Sequence, residues 1–201
     1  MSTFREPVVA KVLTYTDDTW AAARMWLQET RIHSKVGSEK HQAIIQLLGV
    51  DARVHAFYME AVQASPLGDK SFRDHHGHFS GTNNNAERIL NDMVSALSWV
   101  HGLGVVHNDI KPANILFGKT RGAVLIDFGL STDTPREVSK VDGTPWHLPP
   151  EFLKFKSRRL AKSVSSVSFV ILFTAQLGRF GFLIISSCFM AGKFNFYLYK
   201  W

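Results

Sequence analysis

The sequence is poor in cysteine and in signals for export. Cys188 is the single cysteine, which excludes an internal disulfide framework and fits a reducing compartment. The first residues, Met1 to Pro7, contain no apolar run behind a basic start, so a cleaved signal peptide is not expected. We therefore expect an intracellular protein, cytoplasmic or nuclear.

The chain also lacks a concentration of charge of one sign. Its formal net charge is +6, but the basic residues are scattered along the sequence. The densest short cluster comprises Lys154, Lys156, Arg158 and Arg159. A moderately basic soluble surface explains this distribution better than a nucleic-acid-binding surface does, so no nucleic acid partner is expected.

The first part of the chain contains three segments that are typical of β-strands. β-Branched and apolar residues predict strands over 8–15, 45–50 and 54–62. The stretch 64–85 is rich in Gly, Ser, Asp and Asn and reads as a connection. Its three histidines, His75, His76 and His78, suggest a metal site, but no second ligand group with suitable spacing accompanies them, so a solvated loop is favoured.

Two segments have the periodicity of helices. The first runs from Thr19 to Val36 and has a partly apolar face, which consists of Trp20, Ala23, Leu27 and Thr30, with Trp26 and Ile32 beside them. The second is predicted to start at Asn84, because Glu87 follows as in a capping box, and to end at His101–Gly104. Its apolar stripe is Ile89, Leu90, Met93, Val94, Leu97 and Val100.

Three polar motifs follow in order. The first, from His107 to Leu116, reads HNDIKPANIL, the second is Asp127-Phe128-Gly129, and the third, from Gly143 to Glu151, reads GTPWHLPPE. They resemble the catalytic loop, metal-binding turn and activation segment of the eukaryotic protein kinases, and their spacings fit that family. The resemblance implies an α+β, two-lobed protein-kinase-like fold. It also implies a Ser/Thr protein kinase that transfers the γ-phosphate of ATP to a protein hydroxyl.

The resemblance assigns the catalytic and metal-binding residues. Asp109 is similar to the residue that orients the substrate hydroxyl and accepts its proton, and Lys111 to the lysine that contacts the γ-phosphate. Asn114 and Asp127 are similar to the two magnesium ligands, so ATP and Mg²⁺ are the implied cofactors and a protein is the implied substrate. Lys111 together with Thr144 favours Ser/Thr over Tyr specificity.

A second group of residues resembles the positions that hold the nucleotide. Lys11 is similar to the strand lysine that contacts the α- and β-phosphates, and Glu29 to the helix glutamate that pairs with it. For each, the alternative is an ordinary solvated charge.

The adenine pocket is implied by the resemblance alone. Met59, Glu60 and Val62 resemble the hinge, where the carbonyl of Glu60 and the N–H of Val62 would meet the adenine edge. Ala10 and Leu116 would form the roof and floor.

One departure from the family motif concerns regulation. Asn108 stands where the family has an arginine that grips a phosphate on the activation segment, and an amide cannot make that charged bidentate contact. We therefore predict that activity does not depend on phosphorylation of this segment. The candidate sites are Ser131, Thr132, Thr134 and Ser139.

Other departures lie outside the motifs. No glycine precedes Lys11, so the glycine-rich phosphate loop is missing from the sequence, and the family's Asp-x-Trp-x-x-Gly helix is missing near Ser163. We expect a partial N-lobe and hinge over 1–62, a C-lobe core over 63–153 and a divergent apolar tail over 154–201. The alternative function is a catalytically impaired kinase fragment, or a pseudokinase-like binding module.

The tail contains the one candidate for a membrane segment. Residues 169–177 and 180–191 are strongly apolar but are interrupted by Gly178-Arg179. An arginine at the centre of a span is unfavourable in hydrocarbon, and neither half alone is long enough to cross a bilayer. A buried tail is therefore preferred over a membrane helix.

Overall fold

The computed structural model describes residues 7–13, 19–76 and 79–133, together with the backbone of three strands in the tail. The helices and strands are, in chain order, β1 (Val8–Val12), α1 (Thr19–Val36), β2 (Leu47–Asp51), β3 (Ala56–Glu60), β4 (Ser65–Pro66), α2 (Asn83–Gly102), β5 (Ile115–Gly118), β6 (Gly122–Leu125), β7 (Leu172–Phe173), β8 (Leu183–Met190) and β9 (Lys193–Lys200). Single 3₁₀ turns occur at Lys70–Phe72 and Pro112–Asn114. The predicted α+β class is confirmed.

The first sheet is antiparallel, with strand order β1-β3-β2. Its three strands are those expected from the sequence, although all three are shorter than the apolar segments that predict them. In register, Lys11 of β1 lies opposite Phe57 of β3. Helix α1 contacts this sheet through Trp26, whose indole N–H donates to the carbonyl of Ala56 at 3.3 Å. The sheet and the helix together therefore place Lys11 beside α1.

Helix α1 has the predicted bounds, but its predicted apolar face is only partly correct. Trp20 is 76% exposed and Leu27 is 62% exposed. Ile32 is completely buried as predicted, and Glu29 and His33 are buried beside it. Two of these residues are polar, so a hydropathy pattern does not count them as buried, and their burial depends on partners elsewhere in the chain.

Helix α2 begins one residue earlier than predicted, and Thr82 is its N-cap. The hydroxyl Oγ1 of Thr82 accepts a hydrogen bond from the backbone N–H of Asn85 at 3.2 Å, so the predicted capping box at Asn84 is wrong. The helix ends at Gly102, and Gly104 has a φ of +69°, a left-handed conformation that glycine adopts without strain.

The apolar stripe of α2 is largely confirmed. Its buried residues are Ile89, Met93, Ala96, Leu97 and Val100. Val94 is 36% exposed, so its assignment to the buried stripe is wrong. The stripe belongs to the same core as Val36 of α1 and Leu125 of β6. This core holds the chain between α2 and β5, which carries the first polar motif.

The second sheet has the order β4-β5-β6, and β5 and β6 form an antiparallel hairpin. Backbone hydrogen bonds join β6 to the segment after α1, from the N–H of Ile45 to the carbonyl of Leu125 at 3.1 Å and from the N–H of Leu125 to the carbonyl of Ala43 at 2.9 Å. Asp127 follows β6 directly, so these bonds bring it close to α1 and β1.

In the tail, β7, β8 and β9 form one antiparallel sheet. The described parts of the apolar runs predicted there are thus strands rather than a helix. Among the residues with a described structure, no helix combines the length and apolar character needed to cross a membrane.

Candidate active site

The first charged cluster brings together Lys11, Glu29 and Asp127. The ammonium Nζ of Lys11 lies 2.7 Å from Glu29 Oε1 and 2.8 Å from Asp127 Oδ1. Lys11 and Glu29, assigned as a pair from their resemblance to a strand lysine and a helix glutamate, are therefore in direct contact. The lysine comes from β1, the glutamate from α1 and the aspartate from the turn after β6. The cluster thus joins three separate elements at one point.

Burial and pairing act in opposite directions on the pKa values of this cluster. Burial alone lowers the pKa of Lys11, but the hydrogen bonds that it donates to the two carboxylates, together with their negative charge, outweigh burial and raise the pKa. Burial raises the pKa of Asp127, but the hydrogen bond and charge of Lys11, together with the bond from the Gly129 N–H, outweigh burial and lower the pKa. For Glu29, burial is the larger effect and the pKa is raised. At neutral pH the cluster therefore contains a charged lysine and an ionised Asp127.

Asp127 is held in an unusual backbone conformation. Its φ of +66° lies in the left-handed region, which non-glycine residues seldom adopt. Its Oδ1 atom also accepts a hydrogen bond from the backbone N–H of Gly129 at 3.3 Å. Such strain persists where surrounding contacts fix the residue, and it is concentrated at functional sites.

The second charged cluster lies in the loop before β5. The Oδ2 atom of Asp109 accepts from the amide nitrogen of Asn114 at 2.9 Å and pairs with Lys111 Nζ at 2.6 Å. The same amide nitrogen donates to the backbone carbonyl of Asp109 at 2.9 Å. Asp109 is 8% exposed, so its carboxylate is held by a cation and an amide in a largely buried position. The three residues predicted to be catalytic thus form one unit.

His107 connects this loop to the strand that precedes Asp127. Its Nδ1 atom accepts from the backbone N–H of Asp109 at 3.3 Å, which requires Nε2 to carry the proton that it donates to the carbonyl of Ile126 at 3.1 Å. Complete burial lowers the pKa of His107 to about 4, so the ring is neutral at pH 7. The N–H of Ile126 in turn donates to the carbonyl of Asn114 at 3.0 Å. The two charged clusters are therefore fixed relative to each other.

Phe128 adds an aromatic link between this loop and α1. Its ring is completely buried and lies 5.0 Å from the ring of His33 and 5.1 Å from the ring of His107. The Nε2 atom of His33 is 3.0 Å from the carbonyl of Ile45, which fixes the ring. Helix α1 and the loop that carries Asp109 therefore both pack against the ring of Phe128.

The amide side chain of Asn108 binds the segment that follows Gly129 through neutral hydrogen bonds. Its amide nitrogen donates to the carbonyl of Leu130 at 3.0 Å and to Thr132 Oγ1 at 3.3 Å. Its φ is +65°, a conformation that asparagine tolerates better than most residues. Among the candidate phosphorylation sites, Ser131 and Thr132 fall in this described segment, while Thr134 and Ser139, like Thr144, lie outside the described residues.

Ser131 is completely buried, and its hydroxyl donates to the carbonyl of His107 at 3.1 Å. We expect Ser131→Asp to destabilise the fold by roughly 3 kcal/mol, since it places an unpaired charge in the core. For a chain of this size, that loss lowers the melting temperature by roughly 6–12 °C. Ser131→Ala, which removes only the hydroxyl, is the control and should cost about 1 kcal/mol in a thermal melt. An activity increase of about tenfold in Ser131→Asp would contradict both this expectation and the predicted independence from phosphorylation.

The residues proposed for the adenine pocket lie at the edge of the core. Ala10 is exposed on β1 and is paired with Tyr58 of β3. Met59, Val62 and Leu116 are partly buried and pack against the core. The backbone of Glu60 is the part expected to meet adenine, whereas its side chain makes structural contacts. Its Oε1 accepts from the N–H of Gln46 at 2.9 Å, and its Oε2 pairs with Arg121 Nη1 at 2.6 Å.

Arg121 was not identified from the sequence. It lies in the turn between β5 and β6, and besides Glu60 it binds the carbonyls of Gln42 at 3.0 Å and Ile44 at 3.1 Å. One side chain therefore joins the β5–β6 hairpin, the segment after α1 and the end of β3. An arginine in a hairpin turn is usually solvated, and the local sequence does not indicate that its partners lie so far away in the chain.

Two residues of the site, Asp127 and Asn114, carry oxygen atoms of the kind that bind Mg²⁺. Within the described ranges, no group of three or more His, Cys, Asp or Glu side chains could hold a metal ion. Magnesium is usually held by one or two protein oxygens, together with phosphate and water. Asp127 offers a carboxylate oxygen, and Asn114 offers its amide oxygen, since its amide nitrogen is already engaged by Asp109.

Sequence comparison finds similarity to proteins named as serine/threonine-protein kinases. The chain is 33% identical over 123 residues to a serine/threonine-protein kinase H1 homolog of Pinctada fucata, which covers 58% of this chain and 29% of that protein. It is 39% identical over 75 residues to the serine/threonine-protein kinase ppk34 of Schizosaccharomyces pombe, covering 36% and 21%. It is 29% identical over 155 residues to the serine/threonine-protein kinase PLK4 of Drosophila yakuba, covering 76% and 20%. The chain spans less than a third of the length of these relatives.

The family model for the protein kinase domain matches residues 2–182. The match includes both charged clusters and extends beyond residue 153, where the recognisable motifs stop. The chain therefore belongs to the protein kinase family.

Proposed function

We propose that this protein is a Ser/Thr protein kinase, which transfers the γ-phosphoryl group of ATP to a Ser or Thr hydroxyl of another protein. The observation that carries the proposal is the fixed arrangement of two charged clusters, Lys11–Glu29–Asp127 and Asp109–Lys111–Asn114. Phosphoryl transfer needs little covalent help, but it needs an oriented acceptor and preorganised charge around the phosphates. These clusters supply both. Relatives named as serine/threonine kinases support the choice of acceptor.

Lys11 is proposed to bind the α- and β-phosphates. A flexible lysine side chain loses conformational entropy when it is ordered, and this loss weakens binding if the ordering happens only when the ligand binds. Here Glu29, whose side chain is 4% exposed, fixes that ammonium at 2.7 Å. The pair therefore presents a positive charge in a defined position before the nucleotide arrives.

Asp109 is proposed to receive the proton of the attacking hydroxyl. As the hydroxyl oxygen bonds to the γ-phosphorus, the bond from that phosphorus to the β–γ bridging oxygen breaks, the proton passes to the Asp109 carboxylate, and ADP leaves. Asn114 and Lys111 hold one oxygen of this carboxylate, which orients the other. Lys111 also places positive charge where the γ-phosphate must lie.

Asp127 and Asn114 are proposed to hold Mg²⁺, with nucleotide phosphates completing its ligands. The ion supplies charge neutralisation of the phosphates when it is bound. The strained backbone of Asp127 and the engaged amide nitrogen of Asn114 fix the two protein oxygens for this purpose.

A thermal shift of the full chain with Mg²⁺ and ATP tests the proposed nucleotide site. We expect a rise in melting temperature for the wild type and none for Asp127→Ala, because ligand that binds only the native state stabilises it. Transfer of labelled phosphate to a generic basic protein should accompany the shift. Absence of a shift in the wild type would contradict the proposed function.

Arg121 provides a further prediction about adenine binding. Arg121→Gln removes its ion pair with Glu60 and loosens the end of β3, where the backbone of Glu60 and Val62 is proposed to meet adenine. We expect the KM for ATP to rise about tenfold, while kcat at saturating ATP changes less than about threefold.

The matched control is Arg88→Gln. Arg88 binds the same β5–β6 turn through the carbonyls of Lys119 at 2.6 Å and Thr120 at 2.9 Å. We expect its replacement to lower the melting temperature without raising the KM for ATP. If both variants raise the KM equally, the effect arises from the hairpin in general, and the role assigned to the Arg121–Glu60 pair is wrong.

A further inference from the structure

The chain that follows Phe128-Gly129 runs along one side of α1. Gln28 donates to the carbonyl of Ser131 at 3.1 Å. Arg31 binds both carboxylate oxygens of Asp133 at 2.7 Å, and Lys35 Nζ lies 3.7 Å from Asp133 Oδ2. Residues 28, 31 and 35 are spaced so that they share one face of a helix. One helix face therefore carries two hydrogen-bond donors to residues 131–133 and a further cation close to Asp133.

The ion pairs of Asp133 differ from an ordinary surface contact. Exposed pairs contribute little, because water screens them and long side chains lose freedom in forming them. The Asp133 side chain is only 11% exposed, although that of Arg31 is 54% exposed. Its bond to Arg31 is bidentate, and a second cation lies nearby, which are the conditions under which such pairs contribute most.

The same helix carries Glu29, which binds Lys11, and Lys11 also binds Asp127. A closed chain of contacts therefore runs from Asp127 through Lys11 and Glu29 to α1, then through Arg31 to Asp133. Glu29 and Arg31 are carried by the same helix, so a rotation of α1 about its own axis that released Asp133 would also displace Glu29 from Lys11.

We propose that Arg31 and Asp133 are positioning residues, which hold α1 in the orientation that keeps Glu29 on Lys11. The negative charge that Arg31 binds is the carboxylate of Asp133. Asn108 secures the neighbouring carbonyl of Leu130 through neutral hydrogen bonds. This inference rests on the proposed kinase function, since it assigns a role in the same site.

Charge reversal and charge exchange test the pair. We expect Arg31→Glu alone, and Asp133→Arg alone, to lower kcat/KM for ATP about tenfold. The double variant exchanges the charges and should return to within about threefold of wild type. Full recovery is not expected, because Asp133→Arg also places an arginine beside Lys35.

The matched control is the pair formed by Asp51, the last residue of β2, and Arg53 in the turn that follows. Arg53 binds Asp51 through Nε at 2.9 Å and Nη2 at 2.5 Å, so its geometry is also bidentate. It contacts neither α1 nor residues 131–133 in any described interaction. Arg53→Glu should therefore leave kcat/KM within about twofold of wild type, since exposed pairs contribute little.

Amide hydrogen exchange provides a readout that does not require activity. We expect each single reversal to increase exchange along α1, and the double variant to restore protection, because local opening is what the pair opposes. Single variants with wild-type exchange and activity would overturn the inference, as would a double variant no better than the singles. Failure of the wild type to bind ATP with Mg²⁺ would instead contradict the proposed function, while the exchange pattern would still decide the role of the pair.

Discussion

Replacement of Asp109 by Asn is expected to lower kcat by roughly 100-fold to 10 000-fold, the range typical for loss of a general base. An amide has nearly the shape of the carboxylate and still accepts from Asn114 and Lys111, but it cannot take up the proton of the attacking hydroxyl. The change therefore separates chemistry from binding. The thermal shift with ATP and Mg²⁺ should remain, while labelled phosphate transfer is lost.

Asp69→Asn is the control for Asp109→Asn. The Asp69 carboxylate accepts from the backbone N–H of Ser71 at 2.8 Å at the start of a 3₁₀ turn, and it touches neither charged cluster in any described contact. We expect this control to transfer phosphate at the wild-type rate. If Asp109→Asn retained more than about a tenth of wild-type kcat, Asp109 would not be the base.

Lys11→Met is expected to impair both phosphate transfer and stability. Loss of the ammonium removes the charge proposed to meet the α- and β-phosphates, which should lower kcat/KM at least about 100-fold. It also leaves Glu29, with a side chain 4% exposed, without its cation, so we expect a destabilisation on the order of 3 kcal/mol at neutral pH. Lys119→Met in the exposed β5–β6 turn is the control and should change neither quantity.

The stability loss in Lys11→Met should depend on pH in a definite direction. Burial already raises the pKa of Glu29 above its ordinary value, and removal of Lys11 takes away the contact that lowers it. A carboxyl group whose pKa is raised by folding destabilises the native state above its unfolded pKa, and this penalty disappears as pH falls below that value. Denaturation midpoints should therefore show a smaller difference from wild type at pH 4 than at pH 7. An equal difference at both values would indicate that Glu29 is not left as a buried charge.

The residues of the second cluster were predictable because their signal is local. Asp109, Lys111 and Asn114 lie within one short motif, so the same turn that the motif encodes also brings them together. Lys11 and Glu29 were identified because they resemble the strand lysine and the helix glutamate of the kinase family. The bounds of α1 were predictable as well, because its ends coincide with changes in local composition.

The buried face of α1 was not predictable from hydropathy. Glu29 and His33 are buried because Lys11 and the carbonyl of Ile45 meet them, and both partners lie outside the helix. Trp20 and Leu27 are apolar yet exposed. The pattern within this helix correctly placed Ile32 in the core, but it also placed two exposed residues there and missed two buried polar ones.

The contacts of Arg31 and Arg121 were missed for a related reason. Arg31 is separated from Asp133 by 102 positions, and Arg121 is separated from Ile44 by 77. Charged residues on a helix surface or in a turn are usually solvated, so nothing in the local sequence separates these two arginines from their neighbours. Only the fold brings their partners within hydrogen-bonding distance.

One phosphorylation assay tests the proposed function most directly. The full chain is incubated with Mg²⁺, ATP labelled at the γ-phosphate, and a mixture of peptides containing Ser, Thr or Tyr, with Asp109→Asn run in parallel. We expect labelled phosphoserine and phosphothreonine with the wild type and at most about a hundredth of that signal with Asp109→Asn. A wild-type chain that binds ATP with Mg²⁺ but transfers no more phosphate than Asp109→Asn would contradict the proposal and favour a non-catalytic, pseudokinase-like binding module.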